Sequence, residues 1–320
     1  MSEVASSEVK GYDVIGDVHG CALTLERLLK TMGYEWTGHT YRHPQRQAVF
    51  LGDIIDRGPH IRSALRLVRN MVEAGAAHMV LGNHEFNALA YATPRRDGPG
   101  YVRPHNPRTT RQLAETLEQF SDYQDEWQDH LAWLRTLPLF LEWPDFRAVH
   151  ACWDAALIDR HMAQFGSGHF DDEFLQQTGQ PGSRAALTKQ RLTGGVDLPL
   201  PAGMSMIAGD GIERTSFRTK FWAPHAHTYG ELLFQPDPLP PAVAEQPILP
   251  EHRRQMVVYH QHEKPVFVGH YWLKGRPEPV AANIACLDYS AVKFGRLVAY
   301  RFDGEAQLDR EKFVWTYVDP

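Results

Sequence analysis

Four apolar runs in this chain stop at a glycine and continue straight into a residue that can bind a metal. They are Ile15-Gly16-Asp17, Leu51-Gly52-Asp53, Leu81-Gly82-Asn83 and Val268-Gly269-His270. A fifth run, residues 146–149, ends in His150 without the glycine. Such runs read as buried strands, and a glycine after a strand permits a sharp turn and close backbone approach. In open α/β sheets ligands collect beyond the strand ends, where loops carry the chemistry. The pattern constrains the fold first: strands whose ends converge on one edge.

Helical periods fill the gaps between the early runs. Residues 12–15 predict a strand, and 22–31 a helix with Leu25, Leu28 and Leu29 on one face. A polar loop over 36–46 leads to a strand at 48–51. A helix at 61–74 follows, with Leu65, Val68 and Val72 on one stripe, then a strand at 77–81. Strands alternating with helices predict a layered α/β fold. Further on, 110–120 and 122–137 predict helices, and 139–143 with 146–149 a hairpin turning at Pro144-Asp145. Residues 155–192 have helical composition, whereas 194–211 and 234–250 read as irregular. Late strands are expected at 265–268, 284–287, 297–302 and 313–318. We expect one domain over 1–320, with an insertion or cap at 155–260.

The 320 residues, 43% of them hydrophobic, suffice for a large core. A formal net charge of -6 gives no reason to expect a nucleic-acid partner. No apolar run approaches the roughly 18 residues of a membrane span. The polar, acidic N-terminus has no signal-type apolar segment, so the expected compartment is the cytoplasm. The three cysteines are scattered and form no CxxC, which argues against a disulfide framework and a thiolate zinc site alike.

The most highly charged strand end is VFLGDIIDRGP, residues 49–59, which places Asp53, Asp56 and Arg57 within five positions. Asp17 and His19 are two apart, which in extended backbone points both side chains to one side. Each signal is weak alone; the ordered set GDVHG, GDIIDRGP, GNHE, VH and GH is specific. Carboxylate, imidazole and amide-oxygen donors suit Mn(II), Fe or Zn rather than a soft thiolate metal or an all-oxygen calcium site.

The motifs Gly16-Asp17-Val18-His19-Gly20, Gly52-Asp53-Ile54-Ile55-Asp56-Arg57-Gly58 and Gly82-Asn83-His84-Glu85 resemble those of the calcineurin-like metallophosphoesterases. Within that family they resemble the bacterial serine/threonine phosphoprotein phosphatase and symmetrical diadenosine tetraphosphatase branch. They lie in the first 85 residues; His150 and His270 match by order and strand context. The resemblance implies an α/β sandwich of two mixed β-sheets flanked by helices, with a dinuclear metal site at the strand C-terminal ends. It implies that Asp17 and His19 ligate one metal, that Asp53 bridges, and that Asn83, His150 and His270 ligate the second. His84 resembles the family's general acid, Asp56 the carboxylate that orients it, and Arg57 a phosphate-binding arginine. The cofactors implied are two divalent ions, Mn(II) first, with Fe or Zn also suited. Their charge exceeds that of Asp17 and Asp53, and the surplus can hold a hydroxide and attract a phosphate.

The match loosens after His150. The interval to His270 is long, and Arg218 is its best candidate for a second phosphate-binding arginine, with Arg214 and Lys220 as alternatives. His225 and His227 have ligand-like spacing and compete with His270. Trp272 stands where phosphodiesterase branches carry a second histidine. The arginines of 93–111 form either a solvated loop or a basic lip. Cys21 and Cys152 are either small buried residues or oxidation-sensitive thiols, and Asp288 is a candidate partner behind the ligands. The expected function is metal-dependent hydrolysis of phosphate monoesters by a metal-bridging hydroxide, with His84 as acid. The partner would be a phosphoprotein, a nucleotide or a small phosphorylated molecule, with no membrane and no stable nucleic-acid partner. The alternatives are symmetrical dinucleoside polyphosphate pyrophosphohydrolysis and a non-catalytic binding protein on the same fold. Retention of every expected ligand disfavours the last.

Overall fold

The computed structural model describes residues 9–200, 203–207, 213–234, 239, 241–293 and 295–318. Two sheets form its centre. In the first, Gly11–Ile15 lies between Arg296–Phe302, antiparallel, and Arg46–Phe50, parallel. Ala77–Met79 extends the sheet on one side, and Asp288–Tyr289 and Phe313–Tyr317 pair with Arg296–Phe302 on the other. The second sheet runs Ile284–Cys286, Val266–Val268, Arg147–Val149, Phe140–Glu142. Val266–Val268 is parallel to both neighbours, while the last two strands are an antiparallel hairpin. Both sheets are therefore mixed.

Side-chain alternation explains the layers. Val14, Val49 and Leu51 point to one face of the first sheet and meet Phe146, Ala148, Phe267 and Ala285 of the second. Ile15, Ala48 and Phe50, one residue out of phase, join the cluster of Leu25, Leu28, Leu65 and Val68 from helices Ala22–Thr31 and Ile61–Glu73. Burying each of the Val, Leu, Ile and Phe side chains among them contributes about 1.5–3 kcal/mol. The chain passes from the second sheet to the first across the single residue Leu287. Its carbonyl oxygen would lie 2.1 Å from a Cβ at position 16. Gly16 is thus required where the sheets join, one residue before Asp17.

The expected layered sandwich and its helical flanks are present. Two local expectations need correction. Residues after Leu81 form a helix, Asn83–Ala92, instead of a loop. The loop at 36–46 contains part of a short hairpin, Glu35–Trp36 with Tyr41–Arg42. The segment expected to be irregular at 194–211 contains the strand Asp197–Pro199, which pairs with Ser216–Arg218 beyond it; parts of the irregular segments at 201–202, 208–211, 235–238 and 240 lie outside the described residues. Residues 155–260 connect neighbouring strands of the second sheet and include helices Ala155–Phe165, Asp172–Gln177 and Arg184–Gly194. No helix among the described residues is long and apolar enough to cross a membrane.

Candidate metal centre

The loop after Arg46–Phe50 carries the densest set of polar groups, in an unusual backbone conformation. Asp53, Asp56 and Arg57 have φ of 52°, 67° and 69°. L-residues enter this left-handed region at a cost of about 1–2 kcal/mol each. The compensation comes from Glu85. Its fully buried carboxylate accepts the N–H groups of Asp53, Ile54, Ile55 and Gly82, at 2.8, 2.7, 3.2 and 3.0 Å. Gly82 precedes the helix Asn83–Ala92 and Glu85 is its third residue, so the bond to Gly82 also satisfies one open N–H at the helix start. Asp53 Oδ1 accepts the His84 N–H at 2.9 Å, tying the two motifs together.

Around Asp53 the imidazoles are oriented by carbonyls behind them. His19 Nδ1 lies 2.9 Å from Ile55 O, and His150 Nδ1 2.7 Å from Leu51 O. A carbonyl only accepts, so each Nδ1 carries a hydrogen, and in the neutral ring each Nε2 keeps its lone pair. Those Nε2 atoms face Asp53 Oδ2 at 3.7 and 3.3 Å, and Asn83 Oδ1 lies 3.2 Å from His150 Nε2. His270 donates from Nε2 to Gly194 O at 3.1 Å, leaving Nδ1 as its free donor atom. Two groups result, His19 with Asp53 and His84, and Asp53 with His150 and His270; within each, the donor atoms lie within 4.8 Å of one another. Acceptor atoms that converge in this way fit cations, and the Arg57 guanidinium already faces two of them. The carbonyls behind the histidines are the usual support of metal-binding imidazole.

The electrostatics have the same cause. Burial opposes charge on Asp53, yet His150, His84 and His19 hold it well below the usual carboxylate range. Burial, then Asp288 and Asp53, push Asp17 well above it. Burial lowers His19 and His270, reinforced by Arg57 and Arg218 respectively. His150 is also opposed by burial, but Asp53 draws positive charge onto it. The centre therefore asks for positive charge around Asp53.

The backbone at 17–19 differs from the extended course expected of it. The strand ends at Ile15, and His19 has φ 43°, so residues 17–19 turn instead of continuing extended. The His19 group is completed by His84, while both oxygens of Asp17 accept the His270 N–H at 3.2 Å. Asp17 so fastens the early loop to the late one. Gly269 is needed there, because a Cβ would lie 2.0 Å from Asp17 Oδ1.

His84 donates from Nδ1 to Asp56 Oδ2 at 2.5 Å. Thr116 Oγ1 donates to the other oxygen of Asp56 and accepts the Asp56 N–H at 3.1 Å. Arg57 places Nη1 2.9 Å from His19 Nε2 and Nη2 2.9 Å from His84 Nε2, with its guanidinium 4.5 Å from the centre of the Trp272 ring. Asp288 accepts the Trp272 N–H at 2.8 Å, a contact to the residue under Arg57 and not to a candidate ligand.

Of the late candidates, Arg218 comes near His270. Its Nε is buried without a hydrogen-bond partner, and Asp197 Oδ1 lies 3.6 Å away. Lys220 instead donates to Glu231 O, Arg214 is exposed, and the metal-capable groups include His270 but neither His225 nor His227, both exposed. The arginine-rich loop is divided. Arg95 pairs with Asp97, and Arg96 with Asp172 and Glu173, whereas Arg103 feels the charge of Asp56. The three cysteines are buried, and burial pushes the Cys21 thiol up to about 11, which disfavours the oxidation-sensitive reading.

Sequence reasoning assigned no role to Glu85, Thr116, Lys189 or Trp272. Glu85 had a signal, its place three residues after Gly82 before an apolar run. Trp272 was marked only as a missing histidine. Thr116 and Lys189 lie on distant helices and had no local cue.

The asymmetrical bis(5'-nucleosyl)-tetraphosphatase PrpE of Halalkalibacterium halodurans is 47% identical over 144 residues, which cover 43% of this chain and 54% of that protein. Its counterpart in Oceanobacillus iheyensis is 48% identical over 73 residues, covering 22% and 29%. The chain thus spans about half the length, or less, of these curated relatives. A serine/threonine phosphatase structure from Saccharomyces cerevisiae aligns with a TM-score of 0.49 at 13% identity, over 98% of this chain and 83% of that one. The family model described as calcineurin-like phosphoesterase matches residues 12–184, from the strand before Asp17 to beyond His150. With a match over more than half its length, the chain belongs to the calcineurin-like phosphoesterase family.

Proposed function

We propose that the protein is a metal-dependent phosphoric ester hydrolase acting on a nucleoside polyphosphate. The observation that carries this is the pair of donor groups sharing Asp53, with the Arg57 fork directed at both. Asp53 would bridge two divalent ions, His19 and Asp17 serving one, and Asn83, His150 and His270 the other. Mn(II) is the first candidate, and Fe or Zn suit the same donors. Bound there, the ions would supply a nucleophile from water and neutralise phosphate charge.

The remaining work falls to the chain. Arg57 and Arg218 grip phosphate oxygens. When Arg57 turns to phosphate, His84 Nε2 is released from it and can carry a proton. The bond from water oxygen to phosphorus forms as the bond to the leaving oxygen breaks; His84 gives that oxygen its proton, and the water's proton passes to solvent. Asp56, fixed by Thr116, holds the imidazole in line with the leaving oxygen. Substrate class is drawn from the relatives named as tetraphosphatases. Phosphate monoesters are the second reading, since Arg57 and Arg218 suffice for one phosphate.

The test is metal analysis followed by hydrolysis of p-nitrophenyl phosphate, phosphopeptide and diadenosine tetraphosphate with Mn(II), Fe or Zn. Hydrolysis of the dinucleotide is expected, and ATP plus AMP against two ADP distinguishes asymmetrical from symmetrical cleavage. His84→Asn should retain metal and lower turnover by about 10²–10⁴. A protein that binds no metal and cleaves none of the panel sinks the proposal.

A further inference from the structure

The helix Asn83–Ala92 presents a line of half-buried residues, Asn83, Asn87 and Tyr91, while the residues between them are buried. Four helical residues advance about 6 Å, so Asn87 and Tyr91 stand roughly 6 and 12 Å along the same side from Asn83. Each position has its own chemistry. Asn83 belongs to the donor set around Asp53. At Asn87, Oδ1 accepts from Lys189 Nζ at 3.0 Å, with that ammonium 5.6 Å from the centre of the Phe86 ring. Arg103, whose backbone N–H donates to Ala90 O at 2.9 Å and whose guanidinium donates to Gln112 Oε1, is the second cation of this stretch. Arg103 acts on Lys189, as Arg108 does on Arg103, while Asp53 draws on Lys189 and Asp56 on Arg103. Burial, then Arg103, push Lys189 down to about 8. At Tyr91 the ring stacks on His105 with centroids 3.6 Å apart, and His105 stacks on Tyr101 at 4.0 Å, with planes 14° and 11° from parallel. His105 Nε2 donates to Tyr91 O at 2.8 Å and fixes the pile, which ends in Tyr101, 37% exposed.

We propose that this line is a nucleotide subsite, in which Lys189 and Arg103 hold the phosphate next to the one attacked and Tyr101 stacks on the nucleobase of the half that leaves. The inference rests on the nucleoside polyphosphate reading above. The order along the helix is metal donors, cations, aromatic rings. A 5'-nucleotide presents reacting phosphate, next phosphate, base, in the same order. Arg103 responds to Asp56, the partner of the acid His84, and Lys189 to Asp53, so Arg103 is the cation nearer the leaving side. Two cations at a half-buried position with an amide as hydrogen-bond partner suit an anion that arrives with the substrate. Aromatic faces accept any base by stacking.

The test compares Tyr101→Ala, Tyr101→Phe and Lys189→Met on diadenosine tetraphosphate and p-nitrophenyl phosphate, with ADP binding measured by calorimetry. Tyr101→Ala should lower kcat/KM for the dinucleotide about tenfold relative to that for p-nitrophenyl phosphate in the same protein, through KM, and Tyr101→Phe should restore it. Lys189→Met should weaken ADP binding by about tenfold or more. Equal losses on both substrates, or unaltered ADP affinity in both Tyr101→Ala and Lys189→Met, would overturn the subsite. ADP binding that is lost in Tyr101→Ala supports the subsite even if the dinucleotide is not cleaved, and that outcome counts against the substrate reading alone.

Discussion

Arg57 donates to two imidazole nitrogens, one of which, on His19, is also wanted by a cation. Under the proposed function the same guanidinium would compete with metal until phosphate gave it a better acceptor. Asp53 is the residue on which both donor groups depend, and its substitution should be felt at both. Asp53→Asn should lose both metals and about 10²-fold or more in activity, read by metal analysis and turnover on one sample. Full metal content with full activity would remove the bridging assignment. The charges of this site were legible in the sequence because Asp53, Asp56, Arg57 and His84 sit within two short motifs. Trp272 under Arg57 and Thr116 behind Asp56 were not, since each depends on a contact with a residue more than fifty positions away.

The loop 53–57 and the start of helix Asn83–Ala92 act as one unit, with Glu85 at the joint. Three left-handed residues would relax if the four N–H groups on Glu85 lost their acceptor. Glu85→Gln keeps the shape but removes the charge and one accepting atom from those donors. It should cost about 2–4 kcal/mol of stability and weaken metal binding, though Glu85 is not itself in either donor group. Denaturant unfolding of apo protein measures the first effect; wild-type stability there would show that other contacts hold the loop. The sequence made the helix Ala22–Thr31 legible through its leucine spacing. It hid the helix at Asn83 because polar residues occupy its first turn, where they serve the site and the cap instead of displaying an apolar face. The turn at 17–19 was hidden likewise, since spacing alone does not report that His19 adopts a positive φ.

The whole molecule depends on pieces from both ends of the chain. Gly11–Ile15 is flanked by Arg46–Phe50 and by Arg296–Phe302, and Val266–Val268 sits between strands from either side of it in sequence. The strands could be foreseen from their apolar runs; which strand neighbours which could not, because register is set by packing between the sheets. The family match ends at residue 184, yet the two sheets need residues up to Tyr317. A protein ending at residue 280 keeps every candidate ligand and lacks four strands. It should fail to unfold cooperatively and bind no metal stoichiometrically, as calorimetry and gel filtration would reveal; a cooperative, metal-loaded fragment would refute this. The pairing of Val14 with Tyr300 also sets the timetable of synthesis. Helices and the parallel strand beside Gly11–Ile15 can form while the chain is still emerging, but its other edge waits for the final fifth of the chain. Such long-range closure is slow, and an unpaired edge held open is a template for association with other chains. During that interval the nascent protein is a natural client for chaperones, and its yield should fall when synthesis outpaces them.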